Sequence, residues 1–196
     1  MAIRSFRDKR LKSLFDLRIP KGFPADLALA VRRKLAMLDA AEVLDDLRRP
    51  PANRLEALRV TAPASMPYVS TISSASALSG HPKDRPMSSS WTTTDGEAVL
   101  TLAPLHPGEV LREEFLKPLG LSPGAVARAI GVPRTRIERL AGEQVDLTPD
   151  TALRLARLLG TTAQFWMNLQ ARYALQTAQA SIGVDLARIE PIKLAS

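Results

Sequence analysis

The residues best equipped for chemistry in this chain stand within six positions of one another. Arg134, Thr135, Arg136, Glu138 and Arg139 follow Pro133 and are interrupted by the apolar Ile137. On a helix whose inward positions are Ile137 and Leu140, Thr135 and Arg139 point most directly outward. Arg136 and Glu138 flank them, and Arg134 lies near the helix start. The chemistry on offer is contact with nucleic acid. Arginine reads guanine edges in a bidentate way, and threonine touches a thymine methyl or a phosphate. These five residues are the candidate DNA-binding set. The plain alternative is a helical hairpin with solvated arginines.

Other chemistries are poorly supplied. The chain has no cysteine, hence no thiolate nucleophile, no disulfide and no Cys-type zinc site. Its two histidines, His81 and His106, are far apart with no metal-binding spacing. Glu113 and Glu114 are adjacent and face apart on a helix, so they form no catalytic pair. No metal, no cofactor and no enzymatic activity are expected. Phe165, Trp166 and Tyr173 recur at helical spacing and read as core or dimer interface. His106, just before Pro107, reads as a helix-entry residue.

The 196 residues are 45% hydrophobic and 24% charged, which are globular proportions. No apolar run approaches the roughly 20 residues that a bilayer span needs. The N-terminal MAIRSFRDKRLKSLF lacks the apolar stretch of a signal peptide. A cytoplasmic protein with no membrane partner is expected. The net charge of +7 is unevenly spread: residues 1–58 hold 13 Lys/Arg against 8 Asp/Glu, and residues 96–196 hold 11 against 10. The basic excess that suggests nucleic acid therefore lies mostly in the first third.

Three kinds of segment position these residues. In 1–58, Ile3 and Phe6 lie in a possible short strand and Asp8 is a candidate helix N-cap. Leu11, Leu14 and Phe15 follow at helical spacing. Leu27, Val31, Leu35 and Leu38 mark one face of a second helix, with Arg32, Arg33 and Lys34 expected on its solvated side. In 59–95, Ser and Thr supply 14 of 37 residues and Pro supplies 4, the composition of a flexible linker. Residues 96–182 are densely helical. His106-Pro107-Gly108-Glu109 opens a first helix that closes near Pro118 and Gly120. Ser122-Pro123 opens a second that stops at Gly131, and Pro133 a third that stops at Gly142. Thr148-Pro149-Asp150 opens a fourth that stops at Gly160, and Thr162 caps the fifth. The tail from 183 to 196 is weakly patterned. Between Pro123 and Leu140, two helices meet at a tight glycine turn with Val126, Ala127, Ile130, Val132, Ile137 and Leu140 as their shared core. That is the pattern of a helix-turn-helix, whose second helix can enter the DNA major groove.

The run from His106 to Gln179 resembles HigA-type antitoxins of the Cro/repressor helix-turn-helix superfamily, most specifically in HPGE, DTALRLARLLGT and FWMNLQ. The resemblance implies a homodimer that binds a palindromic double-stranded DNA operator, represses its own operon and neutralises a HigB-type toxin. Pro123 stands where relatives often carry a phosphate-contacting glutamine, so one anchoring contact is missing. Residues 3 to 58 resemble the first half of HigB-type toxins of the RelE superfamily, which are ribosome-dependent mRNA endoribonucleases. The terminal VDYH-like segment that carries catalytic groups in that family is absent.

Codon degeneracy links the two halves. Read in a shifted frame, residues 59–95 can encode GDRAGQYAVRVNDQFRICFVW, a short variable part and VELVDYH followed by a stop. Met66-Pro67 forces Ala in that frame, and Trp91-Thr92 forces Asp. A frameshift fusion is therefore expected, with an ordinary Ser/Thr linker as the alternative. The expected fold is mainly α: a five-helix helix-turn-helix domain (96–182) preceded by a truncated α/β toxin fragment (1–58) and a flexible linker (59–95). The rival function is a fused chain with residual mRNA endoribonuclease activity.

Overall fold

The computed structural model describes residues 3–55, 101–190 and 192; the linker of 59–95 and its frameshift reading lie outside the described residues. The described residues are helical apart from turns and a single antiparallel bridge between Arg18 and Thr101. The expected strand at Ile3–Phe6 is not formed. A strand needs a paired neighbour, and here the Ile3 amide instead donates to Asp39 Oδ1 at 3.1 Å.

Helix α1 (Lys9–Phe15) starts where Asp8 accepts the Arg10 amide at 2.8 Å. Helix α2 (Ala25–Ala40) follows Pro24, with Asp26 in its first turn. Its inward stripe differs from expectation. Ala28, Arg32, Leu35, Ala36, Met37 and Ala40 are buried, whereas Leu27 is 43% exposed. Small alanines let α2 lie close against the last helix of the chain. Helix α3 (Leu44–Arg48) is short, and the carboxylate of Asp46 in its first turn accepts the Glu42 and Val43 amides.

Helix α4 spans residues 107–119. It is α-helical at Pro107–Val110, π-helical at Leu111–Leu116 and α-helical again at Lys117–Leu119. The remaining four helices start at the expected signals, and the first three of them also stop there. They are α5 (Pro123–Ile130, Ser122 cap), α6 (Arg134–Ala141), α7 (Pro149–Leu159, Thr148 cap) and α8 (Ala163–Leu186, Thr162 cap). Gly131 closes α5 at φ +67°, a left-handed turn that a side chain would strain. Helix α8 runs past Gly183 into the expected tail.

One core joins both parts of the chain. Val110, Leu111, Phe115, Val126, Ile137, Leu155, Phe165, Trp166 and Leu169 pack together with Ala36, Met37 and Ala40 of α2. A smaller cluster of Leu14, Ala28, Leu35 and Leu102 continues it beneath α1. Phe165 and Trp166 are fully buried, so both are core residues.

Candidate nucleic-acid interface

Helix α6 is held from beneath and behind. Ile137 and Leu140 are 0% and 2% exposed and fix its rotation. Behind it, α4 approaches so closely that a Cβ on Gly108 would lie 1.8 Å from the Leu140 carbonyl oxygen. Arg112 of α4 donates to the Ala141 carbonyl and to Glu143 Oε1, at 2.7 Å for the latter, and so satisfies the C-terminal end of α6. His106 caps α4: its Nδ1 accepts the Gly108 amide at 2.9 Å, and burial pushes its pKa below the ordinary 6.5. It is a helix-entry residue, as its place before Pro107 suggested.

That scaffold turns Arg134, Thr135, Arg136 and Arg139 to solvent, with Glu138 partly covered. Their partners differ. Arg134 Nε donates to Glu138 Oε1 at 2.7 Å, so Glu138 steadies an arginine rather than standing free. Arg136 donates to Asp150 Oδ2 at 2.8 Å, and Arg154 reaches Asp150 Oδ1 at 2.9 Å and the Ile130 carbonyl at 2.8 Å. Those guanidiniums, Arg154 first and then Arg136, hold the Asp150 carboxyl below the usual carboxylate range. Among the described residues, the side chains of Thr135 and Arg139 make no hydrogen bond or ion pair. Exposed ion pairs of this type are worth only about 0–1 kcal/mol, so arriving phosphates can draw Arg134 and Arg136 away at little cost.

Two shallow grooves flank α6. One, of about 470 Å³, is lined by Thr135, Arg136, Arg139, Thr148, Asp150 and Thr151 at the start of α7. The other lies between α5 and α6 beside Gly124, Arg128, Arg134 and Glu138. Gly124 leaves room there for Arg134, whose Cδ would lie 3.4 Å from a Cβ. Arg128 and Arg154 belong to this face and were not singled out from sequence. The inward Val126, Ala127 and Ile130 set Arg128 outward on α5, a signal that the helical wheel carried. This face gathers five arginines (128, 134, 136, 139 and 154) against three carboxylates, Glu138, Asp146 and Asp150. A unit nearly neutral overall thus concentrates its positive charge around one helix.

Among the described residues no group of histidines and carboxylates is placed to hold a metal. No described helix is long and apolar enough to cross a membrane.

Fold and site together define a helix-turn-helix unit with a second helical segment packed on its far side. The chain belongs to the family of HTH-type transcriptional regulators that includes HigA antitoxins, and it joins a HigB-like N-terminal segment to that regulator. Residues 4–65 match the family model of RelE-like toxins of type II toxin–antitoxin systems, HigB, seven residues beyond the Leu58 at which the resemblance was expected to stop. "Virulence-associated protein I" of Dichelobacter nodosus is 52% identical over 75 residues, which are 38% of this chain and 69% of that protein. Antitoxin HigA-1 of Vibrio cholerae is 43% identical over 67 residues, 34% of this chain and 63% of that protein. The solved antitoxin HigA of Pseudomonas aeruginosa with the higBA promoter is 46% identical, covers 46% of this chain and 99% of its own, and superposes with a TM-score of 0.45.

Proposed function

We propose that this chain is a non-enzymatic, cytoplasmic autorepressor of the antitoxin type, which binds a palindromic operator as a homodimer and neutralises a HigB-type toxin. Arg134, Thr135, Arg136, Glu138 and Arg139 form its DNA-facing set. The observation that carries this reading is the state of α6. Its inward side is locked by Ile137 and Leu140, while Thr135 and Arg139 stand unpartnered and solvent-facing. The 43% identity to antitoxin HigA-1 of Vibrio cholerae supports the antitoxin reading. Half-sites about one helical turn apart are expected for two such helices.

The test is a titration of operator and scrambled duplexes with the full chain and two variants. Arg139→Ala should cost roughly 1–3 kcal/mol on the operator and relax the preference at one base position. Arg136→Ala should weaken all duplexes alike. Equal, sequence-blind losses from both would take Arg139 off the reading face.

The division of the chain at residues 58 and 95, and its origin in a frameshift, belong to the same reading. The toxin match of residues 4–65 favours a second one, a residual mRNA endoribonuclease. Against it, the Arg32-Arg33-Lys34 run, three of the segment's cations, is occupied by Glu109 and Glu114.

A further inference from the structure

The basic run of α2 was expected to be solvated, and the structure corrects this. Arg32 is 6% exposed; its guanidinium donates to the Ala103 carbonyl and to Glu109 Oε2 at 2.6 Å. Arg33 reaches Glu109 at 3.1 Å and Glu114 at 3.2 Å, and Lys34 reaches Glu114 at 2.5 Å and Asn53 at 2.6 Å. Glu114 is 3% exposed. Three cations on one helix are thus matched to two carboxylates of α4. The contact continues on α8. Asn168 donates to the Ala40 carbonyl at 2.9 Å, and Arg172 donates to Asp39 at 2.7 Å. The Arg172 guanidinium also lies 3.8 Å over the Phe15 ring. At the start of α8, the Thr162 amide and hydroxyl donate to Asp46 at 2.6 and 2.9 Å.

This interface has two unusual properties. It is made by a segment that matches a toxin family on a unit that matches antitoxins. It also avoids the DNA-facing side: none of its residues belongs to α5 or α6, so the two faces can be occupied together. A buried carboxylate left without its cation carries a heavy desolvation penalty, which ties the Glu109–Glu114 face to a basic partner.

We propose that the face formed by Glu109, Glu114, Thr162, Asn168 and Arg172 is the toxin-docking surface of this regulator. Its ligand is an amphipathic helix carrying an Arg-Arg-Lys run of the α2 kind. The chain's own α2 and α3 fill that surface in cis and compete there with a toxin added in trans, which the chain neutralises once that segment is displaced. This rests on the antitoxin reading above and names the surface and its occupancy. Tethering gives the internal helix an effective concentration of order millimolar, so a toxin at micromolar levels is outcompeted roughly a hundredfold or more.

The absence of native cysteine makes a clean test possible. A fluorescein-labelled, lactam-stapled peptide of residues 22–50 stands in for the toxin helix and is titrated with the full chain. The Arg33→Glu/Lys34→Glu chain, whose own segment is repelled by Glu109 and Glu114, should capture the peptide at least tenfold tighter than the wild-type chain. A peptide carrying the same two reversals should not be captured. Met37→Cys, introduced as the sole thiol, should react with a maleimide at least tenfold faster in the charge-reversed chain. Asp46→Ala, which removes the clamp on Thr162 and the bonds from the Glu42 and Val43 amides but leaves the ion pairs of α2 in place, is a second variant and should shift peptide affinity in the same direction. Equal peptide binding by the wild-type and opened chains, no binding by either included, overturns the proposal. So does an unchanged thiol rate, because exclusion rests on the ion-pair lock. Operator binding measured on the same samples separates the two claims. Its loss in every chain refutes the repressor reading, and its retention with failed peptide capture refutes the docking surface alone.

Discussion

Gly108→Ala is the single-atom perturbation to which α6 should be most sensitive. The added Cβ would lie 1.8 Å from the Leu140 carbonyl oxygen, 2.8 Å from its carbon and 2.9 Å from His106 Nδ1. Ordinary contact begins near 3.4 Å, so α4 and α6 must separate by about 1.6 Å. Both sides are backbone or buried and neither yields cheaply. Overpacking of a dense interior costs roughly 1–3 kcal/mol or more. The shift also strains the bond from the Gly108 amide to His106 and that from the Glu143 amide to Leu140, each worth about 1 kcal/mol. Alanine returns up to about 1 kcal/mol as the better helix former. The net is a loss of ~2–3 kcal/mol, and at about 2–4 °C per kcal/mol for a chain of this size the melting temperature should fall by about 4–12 °C. Gly183→Ala is the control: the position is helical with nothing within 4 Å of the added Cβ, so it should hold or slightly raise the melting point. Differential scanning calorimetry reads both, and operator titration should show Gly108→Ala weakening DNA binding because α6 is displaced. A Gly108→Ala chain melting within about a degree of wild type would refute the claim that α4 sets the position of α6.

Two further outcomes follow from His106 and the toxin-like segment. Because burial holds the folded pKa of His106 below 6.5, the unfolded chain takes up that proton first. Stability is then complete above pH 6.5 and falls as the pH drops through that value toward the folded pKa. His106→Asn keeps a capping acceptor without titrating, so its melting temperature should fall less between pH 7.5 and 5.5 than that of the wild type, and a parallel fall would remove His106 as the source. The full chain should neither arrest growth nor cleave mRNA. Restoring one base near Arg59 should yield a separate toxin ending in VDYH, poisonous alone and harmless beside residues 96–196; codons for 59–95 that do not spell that peptide in the shifted frame would end the frameshift account.

The parts of the fold that could be read in advance are those whose causes are local. Ser122, Thr148 and Thr162 each accept an amide three residues on, and Gly131 and Gly160 end their helices in left-handed turns. A cap or a left-handed glycine needs no distant partner, so its residue type declares it. The same holds for Arg139, placed outward by two inward neighbours on its own helix. Glu138 was legible as a member of the face but not as the partner of Arg134, because helical spacing fixes direction and leaves the choice among nearby charges open.

The N-terminal segment shows the opposite case. Its large aliphatics marked the inward stripe only in part: Leu35 is buried and Val31 packs against the smaller cluster, but Leu27 is exposed, because hydrophobic periodicity assumes that the biggest apolar side chains face inward. Towards α8 the covering surface is a second helix, and the positions facing it are Ala36 and Ala40 rather than leucine. Arg32 then sits within the buried stripe, which no single-helix pattern allows. Its burial depends on Glu109, 77 positions away, and that of Glu114 on Lys34, 80 positions away. Each group costs several kcal/mol to desolvate alone and is tolerated only against the other. Reading them therefore required knowing that two segments of different family origin meet. That dependence has a physical consequence for the fusion itself. A toxin-type fragment without its sheet would leave the α2 face orphaned, yet in this chain the antitoxin-type unit supplies both the apolar cover and the carboxylates that complete it.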